Sequence, residues 1–300
     1  IIKSKFQNRE NGENKRMNIN WYPGHMKKTK DLIVENLKII DVVIEILDAR
    51  IPISSKNPDI SKLANNKKKI IVLNKVDLID NRELKVWENY FLENNFSDYF
   101  VALSVEKGTN FNELRKITDR IYNEKLEKVK KKGLRKTSVR AMIVGIPNVG
   151  KSKFINKFVN KNKARVGNTP GFTRGKQWIK IDEKLELLDT PGVLWPKFED
   201  ETVALKLALT GAIKDQLLPM DEVTIFGINY FKNHYPERLQ ERFKQMNLDD
   251  EAPEIIMDMT RILGFRDDYD RFYNLFVKEV RDGKLGNYTL DTLDDLNGND

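Results

Sequence analysis

The amino-acid sequence predicts an α/β protein with a mostly parallel six-stranded sheet, followed by a small all-helical domain. Short apolar, β-branched runs alternate with helical patterns over the first two thirds of the 300 residues. This alternation is typical of a parallel sheet with right-handed crossover connections. After about residue 200 the strand signals fade, and apolar residues recur at spacings of three and four, which indicates packed helices.

The strands are predicted from runs that are apolar almost throughout, as expected of strands buried on both faces. Four such runs span 41–48, 69–74, 99–104 and 139–145. Helical patterns separate them at 57–65, 81–95 and 109–130. Two further strands are predicted at 177–181 and 185–189, and the residues between them, 182–184, are expected to form a hairpin turn.

The last third of the chain carries four further helical patterns, at 219–233, 237–247, 253–263 and 269–281. We therefore expect an α/β domain over 17–198, a helical domain over 199–290, and an acidic tail over 291–300 that frays. Residues 1–16 are expected to be a tag or a flexible extension, because Met17 resembles a natural start.

Composition excludes several classes of protein. Lysine and arginine total 53 against 45 aspartates and glutamates, a net charge of +8, which favours binding to polyanions. The absence of cysteine excludes disulfides, thiolate metal sites and thiol catalysis. No apolar run approaches the roughly 18 residues of a membrane span, and the polar first sixteen residues lack the apolar core of a secretory signal. We expect a cytoplasmic monomer.

The strongest motif is GIPNVGKS at 145–152, which matches G-x-x-x-x-G-K-[ST] between a predicted strand and a predicted helix. Glycines let backbone N–H groups converge on phosphates, and the helix N-terminus adds a positive dipole end. A chance match occurs in about one chain per hundred of this length and composition. Lysine in this motif bridges the β- and γ-phosphates, and the serine hydroxyl binds Mg²⁺. The predicted phosphate-binding residues are Asn148, Val149, Gly150, Lys151 and Ser152.

A second motif, Asn74-Lys75-Val76-Asp77, follows the strand predicted at 69–74. An aspartate can accept two hydrogen bonds from guanine, whereas adenine offers no donors at those positions, so such a site rejects adenine nucleotides. We predict that Asp77 binds the base edge, that Asn74 contacts N7 and that Lys75 lies against the base. The tetrapeptide alone is also compatible with an ordinary strand-to-helix turn.

A third motif, Asp189-Thr190-Pro191-Gly192, lies at the end of the last predicted strand. Asp189 is predicted to hold Mg²⁺ through water, and the Gly192 N–H to contact the γ-phosphate. Thr173 lies between this motif and the phosphate loop, and its hydroxyl and carbonyl are predicted to contact Mg²⁺ and the γ-phosphate. A plain Pro-Gly turn and an ordinary loop threonine are the alternatives.

Together these motifs resemble the P-loop GTPases of the translation-factor class, but in a rotated order. The guanine motif precedes the phosphate loop in this chain, whereas it comes late in an ordinary GTPase. The segment WYPGHM at 21–26 and the tripeptide Asp48-Ala49-Arg50 extend the likeness. The chain resembles the circularly permuted GTPases that act in ribosome assembly, over essentially residues 17–285.

This resemblance implies a GTP-hydrolysing assembly factor for the large ribosomal subunit. Such a factor binds GTP and GDP with Mg²⁺, binds rRNA of the subunit precursor in a nucleotide-dependent way, and is stimulated by the ribosome. The resemblance implies that the helical domain at 199–290 binds the RNA or the ribosome. The segment Ser104-Val105-Glu106 resembles the GTPase motif Ser-Ala-Lys, which implies that Ser104 and Val105 contact guanine, with the Val105 N–H on O6. A GTP-dependent reorientation of residues 200–290 is expected, because the DTPG segment leads directly into them.

The chain lacks the usual catalytic glutamine. Val193 occupies the position where Ras-like enzymes carry the glutamine that orients water. The resemblance implies His25 instead, whose imidazole can hydrogen-bond or take a proton near neutral pH. A packing or capping role at a helix start is the alternative. The resemblance also implies that Asn148 coordinates K⁺, although asparagine at this position also tolerates the backbone geometry of a loop.

Basic residues cluster at 125–140, 151–163 and 165–184, and we expect them to contact RNA phosphates, although most such runs are simply solvated. The main alternative function is a nucleotide-gated RNA-binding module with negligible catalysis. An ATPase or small-molecule kinase is opposed by the guanine motif at 74–77. A permuted GTPase of the small subunit that carries a zinc domain is opposed by the absence of cysteine.

Overall fold

The structure is a computed structural model that describes residues 24–135, 137–163, 178–195, 198 and 200–294, apart from the side chains of 24–26 and 161–163. Five sequence predictions lie wholly or largely outside these residues: the extension 1–16, the first residues of WYPGHM, Thr173, most of the basic run 165–184 and most of the acidic tail. The described residues divide into two compact units. The first contains residues up to 195 together with 291–294, and the second runs to Leu290 from residue 198.

The first unit is built on a six-stranded sheet whose order is β3-β2-β1-β4-β6-β5. Its strands are β1 Val42–Asp48, β2 Lys68–Asn74, β3 Tyr99–Ala102, β4 Val139–Val144, β5 Trp178–Lys180 and β6 Leu185–Asp189. All pairs are parallel except the hairpin of β5 and β6. This confirms the predicted mostly parallel sheet. In the hairpin turn, Asp182 Oδ1 accepts the N–H groups of Lys184 and Leu185 at 2.7 and 3.0 Å.

Helix α1 Gly24–Leu37 precedes the first strand. Helices also follow β1 to β4 along the chain: α2 Pro58–Leu63, α3 Asn81–Glu93, α4 Phe111–Lys130 and α5 Lys151–Lys163. One core cluster joins Ile33 and Leu37 of α1 to Val43 and Met142 of the sheet, and another joins Trp87 and Phe91 of α3 to Leu47, Ile71 and Leu73. Because registered residues of neighbouring strands share a face, both clusters lie on the same face of the sheet.

The second unit consists of packed helices, as the three-and-four spacing predicts. They are α6 Glu201–Leu209, α7 Met220–His234, α8 Pro236–Arg242, α9 Ala252–Ile262 and α10 Tyr269–Arg281. A Cβ on Gly227 of α7 would lie 2.7 Å from Phe276 Cε1 of α10, so a glycine allows these helices to approach closely. Arg281 donates to the carbonyls of Ala208 and Leu209 at 2.8 and 3.1 Å, which satisfies the last turn of α6.

Three features differ from the sequence predictions. Helix α6 was not predicted, and the helix expected over 237–247 ends at Arg242. Asp291 is 3% exposed and belongs to the first unit, so fraying of the tail does not begin at its first residue. No helix within the described ranges has the length and apolar character needed to cross a membrane.

Candidate nucleotide-binding site

The predicted motifs converge because each one follows a parallel strand. The segments 74–77, 104–106, 145–152 and 189–192 come after β2, β3, β4 and β6. The carboxyl ends of parallel strands meet at one edge of a sheet, where α/β proteins bind ligands. The topology therefore gathers four separated stretches of sequence at a single edge.

The phosphate loop leaves β4 at Gly145 and enters α5 at Lys151. Gly145 and Gly150 have positive φ values of 154° and 103°. A Cβ on Gly145 would lie 2.6 Å from the carbonyl oxygen of Ile46, and one on Gly150 would lie 2.7 Å from Asn74 Nδ2. Side chains at either position would displace the neighbouring strand ends, so both glycines are required by close approach as well as by conformation.

Lys151 folds back over this loop. Its ammonium donates to the carbonyl oxygens of Gly145 and Ile146 at 3.1 and 2.8 Å, and the residue is 8% exposed. Burial lowers the pKa of Lys151 to about 8, and the negative charge of Asp189 partly opposes that shift. The lysine is thus a buried cation held mainly by backbone carbonyls, which are weaker partners than phosphate oxygens.

Asn74 connects three of the motifs. Its Nδ2 donates to the carbonyl oxygen of Val149 at 2.8 Å, and its Oδ1 accepts the backbone N–H of Val105 at 3.0 Å. The side chain is buried at 2% exposure. The Val105 N–H, which the resemblance assigns to guanine O6, therefore donates to Asn74 in this structure. The N7 contact predicted for Asn74 would have to use the remaining hydrogen of its amide.

Lys75 has a left-handed backbone, with φ 67°, and its ammonium reaches across to the phosphate loop. Nζ donates to the carbonyl oxygen of Asn148 at 3.1 Å and to Asp48 Oδ2 at 2.6 Å. Asp48 is bound in turn by Arg50. From the sequence alone, the Asp48-Ala49-Arg50 tripeptide indicated only a resemblance to the permuted GTPases. The available signal was that Asp48 and Asn74 each end an apolar run, and the register of β1 with β2 places them side by side.

Asp77 lies in the single 3₁₀ turn Val76–Leu78 that follows Lys75. Its Oδ1 is buried and makes no hydrogen bond within the described residues. A buried carboxylate oxygen without a donor is unfavourable in the absence of a ligand. Next to it in the fold, Ser104 is buried and its Oγ accepts the backbone N–H of Lys107 at 3.0 Å, so this hydroxyl shapes its own loop.

The DTPG segment lies against the phosphate loop. Thr190 Oγ1 donates to the carbonyl of Ile143 at 2.6 Å, and the Val193 N–H donates to the carbonyl of Gly145 at 3.2 Å. A Cβ on Gly192 would lie 3.0 Å from Lys151 Nζ. Asn57 holds the other side of this segment, because its Nδ2 donates to the Val193 carbonyl at 3.0 Å.

The predicted magnesium ligands offer a hydroxyl and a carboxylate. Ser152 is exposed in the first turn of α5, and Asp189 is half-buried at the end of β6. Burial raises the pKa of Asp189, while the ammonium of Lys151 and the Thr190 N–H act in the opposite direction. No cluster of three or more His, Cys, Asp or Glu side chains that could hold a metal occurs in the described ranges. Hard oxygen donors in small number suit Mg²⁺, which takes one or two protein ligands besides phosphate and water.

Two predicted residues cannot be placed in full. Thr173 lies outside the described residues. His25 is the second residue of α1, and its side chain also lies outside them.

Asn148 has φ 57°, which is a conformation that asparagine tolerates better than most residues. This gives Asn148 a structural reason for its identity alongside the predicted role in binding K⁺.

Comparison with known proteins identifies the family. Residues 140–258 match the model of a family described as 50S ribosome-binding GTPase. Ribosome biogenesis GTPase A of Bacillus cereus is 44% identical over 285 residues, covering 92% of this chain and 94% of the relative. The same protein of Priestia megaterium is also 44% identical, covering 92% and 97%.

A solved structure supports the fold. The crystal structure of GNP-bound YlqF from T. maritima is 25% identical and has a TM-score of 0.59, covering 88% of this chain and 97% of that one. The chain is therefore a circularly permuted P-loop GTPase and belongs to the ribosome biogenesis GTPase A family.

Proposed function

We propose that this GTPase is a cytoplasmic assembly factor for the large ribosomal subunit. In this proposal it binds rRNA of the subunit precursor in a nucleotide-dependent way, and the ribosome stimulates its GTP turnover. The family match to a 50S ribosome-binding GTPase supports the choice of subunit. Nucleotide binding is supported by one observation above all: the Asn74 side chain of the guanine motif hydrogen-bonds to the Val149 carbonyl of the phosphate loop.

The geometry supports a proposed role for each residue. We propose that the loop Asn148–Ser152 and Gly192 bind the phosphates, with Lys151 exchanging its two carbonyl partners for phosphate oxygens. Asp77 would receive the base donors on its unpartnered Oδ1, and Lys75 would lie along the base. Ser104 and Val105 would close the guanine pocket, partly through Asn74.

Magnesium would be held by Ser152, Asp189 and Thr173, together with the phosphates. When bound, it neutralises charge on the β- and γ-phosphate oxygens. The donor set fits, because it consists of hydroxyl and carboxylate oxygens. The positive charge of Lys151 acts to lower the pKa of the half-buried Asp189 carboxylate. The two groups therefore share the region where the phosphates are proposed to lie.

Catalysis is proposed to depend on His25, because Val193 has no group that can orient water. The test is a His25→Ala variant, which should retain GTP binding and lose ribosome-stimulated turnover. The chain offers a matched control, since it has only two histidines. His234 stacks on Tyr230 at 4.3 Å within α7, and His234→Ala should leave turnover unchanged.

We propose that K⁺ binds at the Asn148 side-chain oxygen and supplies positive charge to the phosphates. A comparison of KCl with NaCl at equal ionic strength tests this. In Asn148→Gly the left-handed backbone remains accessible, while the amide is absent. Loss of the KCl effect in this variant supports the proposal, and an unchanged KCl effect contradicts it.

The RNA-binding part of the proposal is supported by exposed basic residues. Lys128, Lys131, Lys132 and Arg135 are exposed at and after the end of α4, where phosphates would find them accessible. Lys125 has a structural role instead, because its ammonium pairs with Asp41 at 2.6 Å. The basic residues at 164–177 lie outside the described residues.

The decisive experiment measures GTP turnover with purified large subunits, with small subunits, or with neither, at fixed salt. Acceleration by the large subunit alone is the expected result. Equal acceleration by the small subunit would contradict the choice of subunit. Absence of acceleration by either, together with GTP-dependent binding to rRNA, would favour the alternative of a nucleotide-gated RNA-binding module.

A further inference from the structure

Asp48 lies beneath the candidate guanine motif and is fixed in one orientation. It is the last residue of β1 and is in register with Asn74, the first residue of the motif. Arg50 donates to both of its oxygens, from Nε to Oδ1 at 3.1 Å and from a terminal nitrogen to Oδ2 at 2.9 Å. The carboxylate and the guanidinium are each about 2% exposed. A two-point contact of this kind sets both the position and the plane of the carboxylate.

Asp48 is also ionised. Burial would raise the pKa of Asp48, but the positive charges of Arg50 and Lys75 outweigh it and hold that pKa well below the usual range. The backbone N–H of Asp48 donates to Ser55 Oγ at 3.0 Å, which closes the loop that contains Arg50. The result is a rigid, negatively charged support at the end of β1.

Lys75 is the group that rests on this support. Its positive φ of 67° is unfavourable for a residue with a Cβ, and such conformations persist only when surrounding contacts hold them. The contacts here are made by Nζ, to Asp48 Oδ2 at 2.6 Å and to the Asn148 carbonyl at 3.1 Å, and by the Lys75 carbonyl, which accepts the N–H of Leu78 at 2.9 Å. Asp48, Lys75 and the phosphate loop therefore form one continuous chain of polar contacts.

We propose that Asp48, oriented by Arg50, is a positioning residue for guanine-nucleotide binding, and that it acts by holding Lys75 between the base site and the phosphate loop. This inference rests on the proposed guanine site. Asp48 itself is enclosed by Arg50, Lys75 and the loop to Ser55, so its effect passes through Lys75. The competing explanation is that the Asp48–Arg50 pair only closes the 48–55 loop.

A double-mutant cycle separates the two explanations. The equilibrium constant and dissociation rate for GDP, with Mg²⁺ present, would be measured in the full chain for Asp48→Asn, Lys75→Met and the double variant. Each single variant should weaken GDP binding by about tenfold. The double variant should be within about twofold of Lys75→Met alone, because the role of Asp48 disappears when Lys75 is absent. A second cycle with Lys151→Ala serves as the control, in which the two effects should multiply.

Asp48→Asn leaves the buried Arg50 guanidinium without its partner, which can unfold a protein. The variant Asp48→Asn/Arg50→Gln removes both charges together and is the second starting point for the same cycles. Folding is checked by circular dichroism. Unchanged GDP affinity in either folded variant, or effects that multiply with Lys75→Met, would overturn the inference. Failure of the unmodified protein to bind GDP would instead overturn the proposed guanine site.

Discussion

At the scale of single residues, Lys151 is the clearest case of a side chain whose environment suits an anionic ligand. It is nearly fully buried, and its contacts are two backbone carbonyls rather than a paired carboxylate. Burial lowers the pKa of Lys151 to about 8, which reflects the cost of keeping this cation out of water. A bound phosphate would stabilise the charged form.

We therefore expect Lys151→Ala to weaken GDP binding by about 100-fold, because charge-assisted hydrogen bonds to phosphate are lost. Lys153 is the matched control, since its side chain is 76% exposed and pairs with Glu106 at 3.2 Å. Lys153→Ala should change the affinity by less than about threefold. Calorimetric titration with GDP measures both variants, and equal losses would contradict the role of Lys151.

Asp77 determines base selectivity in our proposal. In Asp77→Asn the amide can donate to the C2 carbonyl of xanthine but repels the guanine amino group, so preference should change from GDP to XDP by at least about 100-fold in relative affinity. Competition between the two nucleotides measures the change. Asp80→Asn changes the N-cap residue of α3, whose side chain makes no capping hydrogen bond, and should leave the preference for GDP intact. A retained GDP preference in Asp77→Asn would remove Asp77 from the site.

Glu45 predicts a pH dependence of stability. Burial raises the pKa of Glu45 from 4.5 to about 7, against the opposing charges of Lys56 and Lys69 and the Asn57 N–H. Between these values the folded protein binds a proton that the unfolded chain does not. The free energy of unfolding should therefore fall as pH rises from about 5 to about 7, by on the order of 2 kcal/mol.

Glu45→Gln should remove this contribution and flatten the profile, while the exposed Glu93→Gln should leave it unchanged. Urea unfolding at several pH values, followed by tryptophan fluorescence, measures the effect in the first unit. The signal is selective, because the tryptophans are at 21, 87, 178 and 195 and none lies within 197–290. An identical slope in Glu45→Gln and the unmodified protein would contradict the assignment.

At the scale of elements, the short helix α2 depends on one side chain that also holds the DTPG segment. Asn57 Oδ1 accepts the N–H groups of Asp59 and Ile60, and its Nδ2 donates to the Val193 carbonyl. Six residues are too few for an independent helix. The N-cap and packing against the sheet must supply its stability.

Two substitutions separate the roles of Asn57. Asn57→Ala should lose the cap, about 1 kcal/mol, and speed hydrogen exchange in both α2 and residues 190–194. Asn57→Ser keeps a capping oxygen but lacks the amide, so exchange should rise only in residues 190–194. Hydrogen-exchange mass spectrometry reports both segments, and equal protection of 190–194 in all three proteins would contradict the contact with Val193.

The strands could be predicted from the pattern of apolar residues, whereas helix α6 could not. The strands were predicted within a few residues, because β1 is buried over its whole length and β2 contains the continuous apolar run from Ile70 to Leu73. Helix α6 was missed because apolar side chains occur on all its sides, and even Lys206 is only 4% exposed. The apolar residues are Val203, Ala204, Leu205, Leu207 and Leu209. A helix that is apolar on all sides carries no three-and-four pattern to reveal it.

At the scale of the whole molecule, the chain returns to the first unit after the helical one. Asp291 accepts the N–H groups of Ile53 and Ser54 at 2.8 Å each and the Ser54 hydroxyl at 2.6 Å. These residues belong to the loop that begins at Asp48. The far end of the chain therefore stabilises the loop that supports the guanine motif.

Asp291→Asn should weaken this contact by about 1–3 kcal/mol, because an amide cannot accept three hydrogen bonds in the same geometry. Faster amide exchange at residues 53 and 54 is the expected result. Asp294→Asn, which changes an exposed aspartate three residues later, should have no effect there. Unchanged exchange in Asp291→Asn would mean that the loop is held by its other contacts alone.

The sequence by itself determined the fold class, the rotated order of the motifs and the identities of the candidate phosphate and guanine residues. These follow from local patterns: apolar runs, glycine spacing and polar residues at strand ends. Tertiary structure alone decided which groups meet, namely Asn74 with Val149 and Val105, Lys75 with Asp48, and Asp291 with Ser54. The physical reason is that these hydrogen bonds join residues 27 to 237 positions apart. Only parallel strand pairing and the return of the chain bring them within reach, and no periodicity in the sequence encodes that proximity.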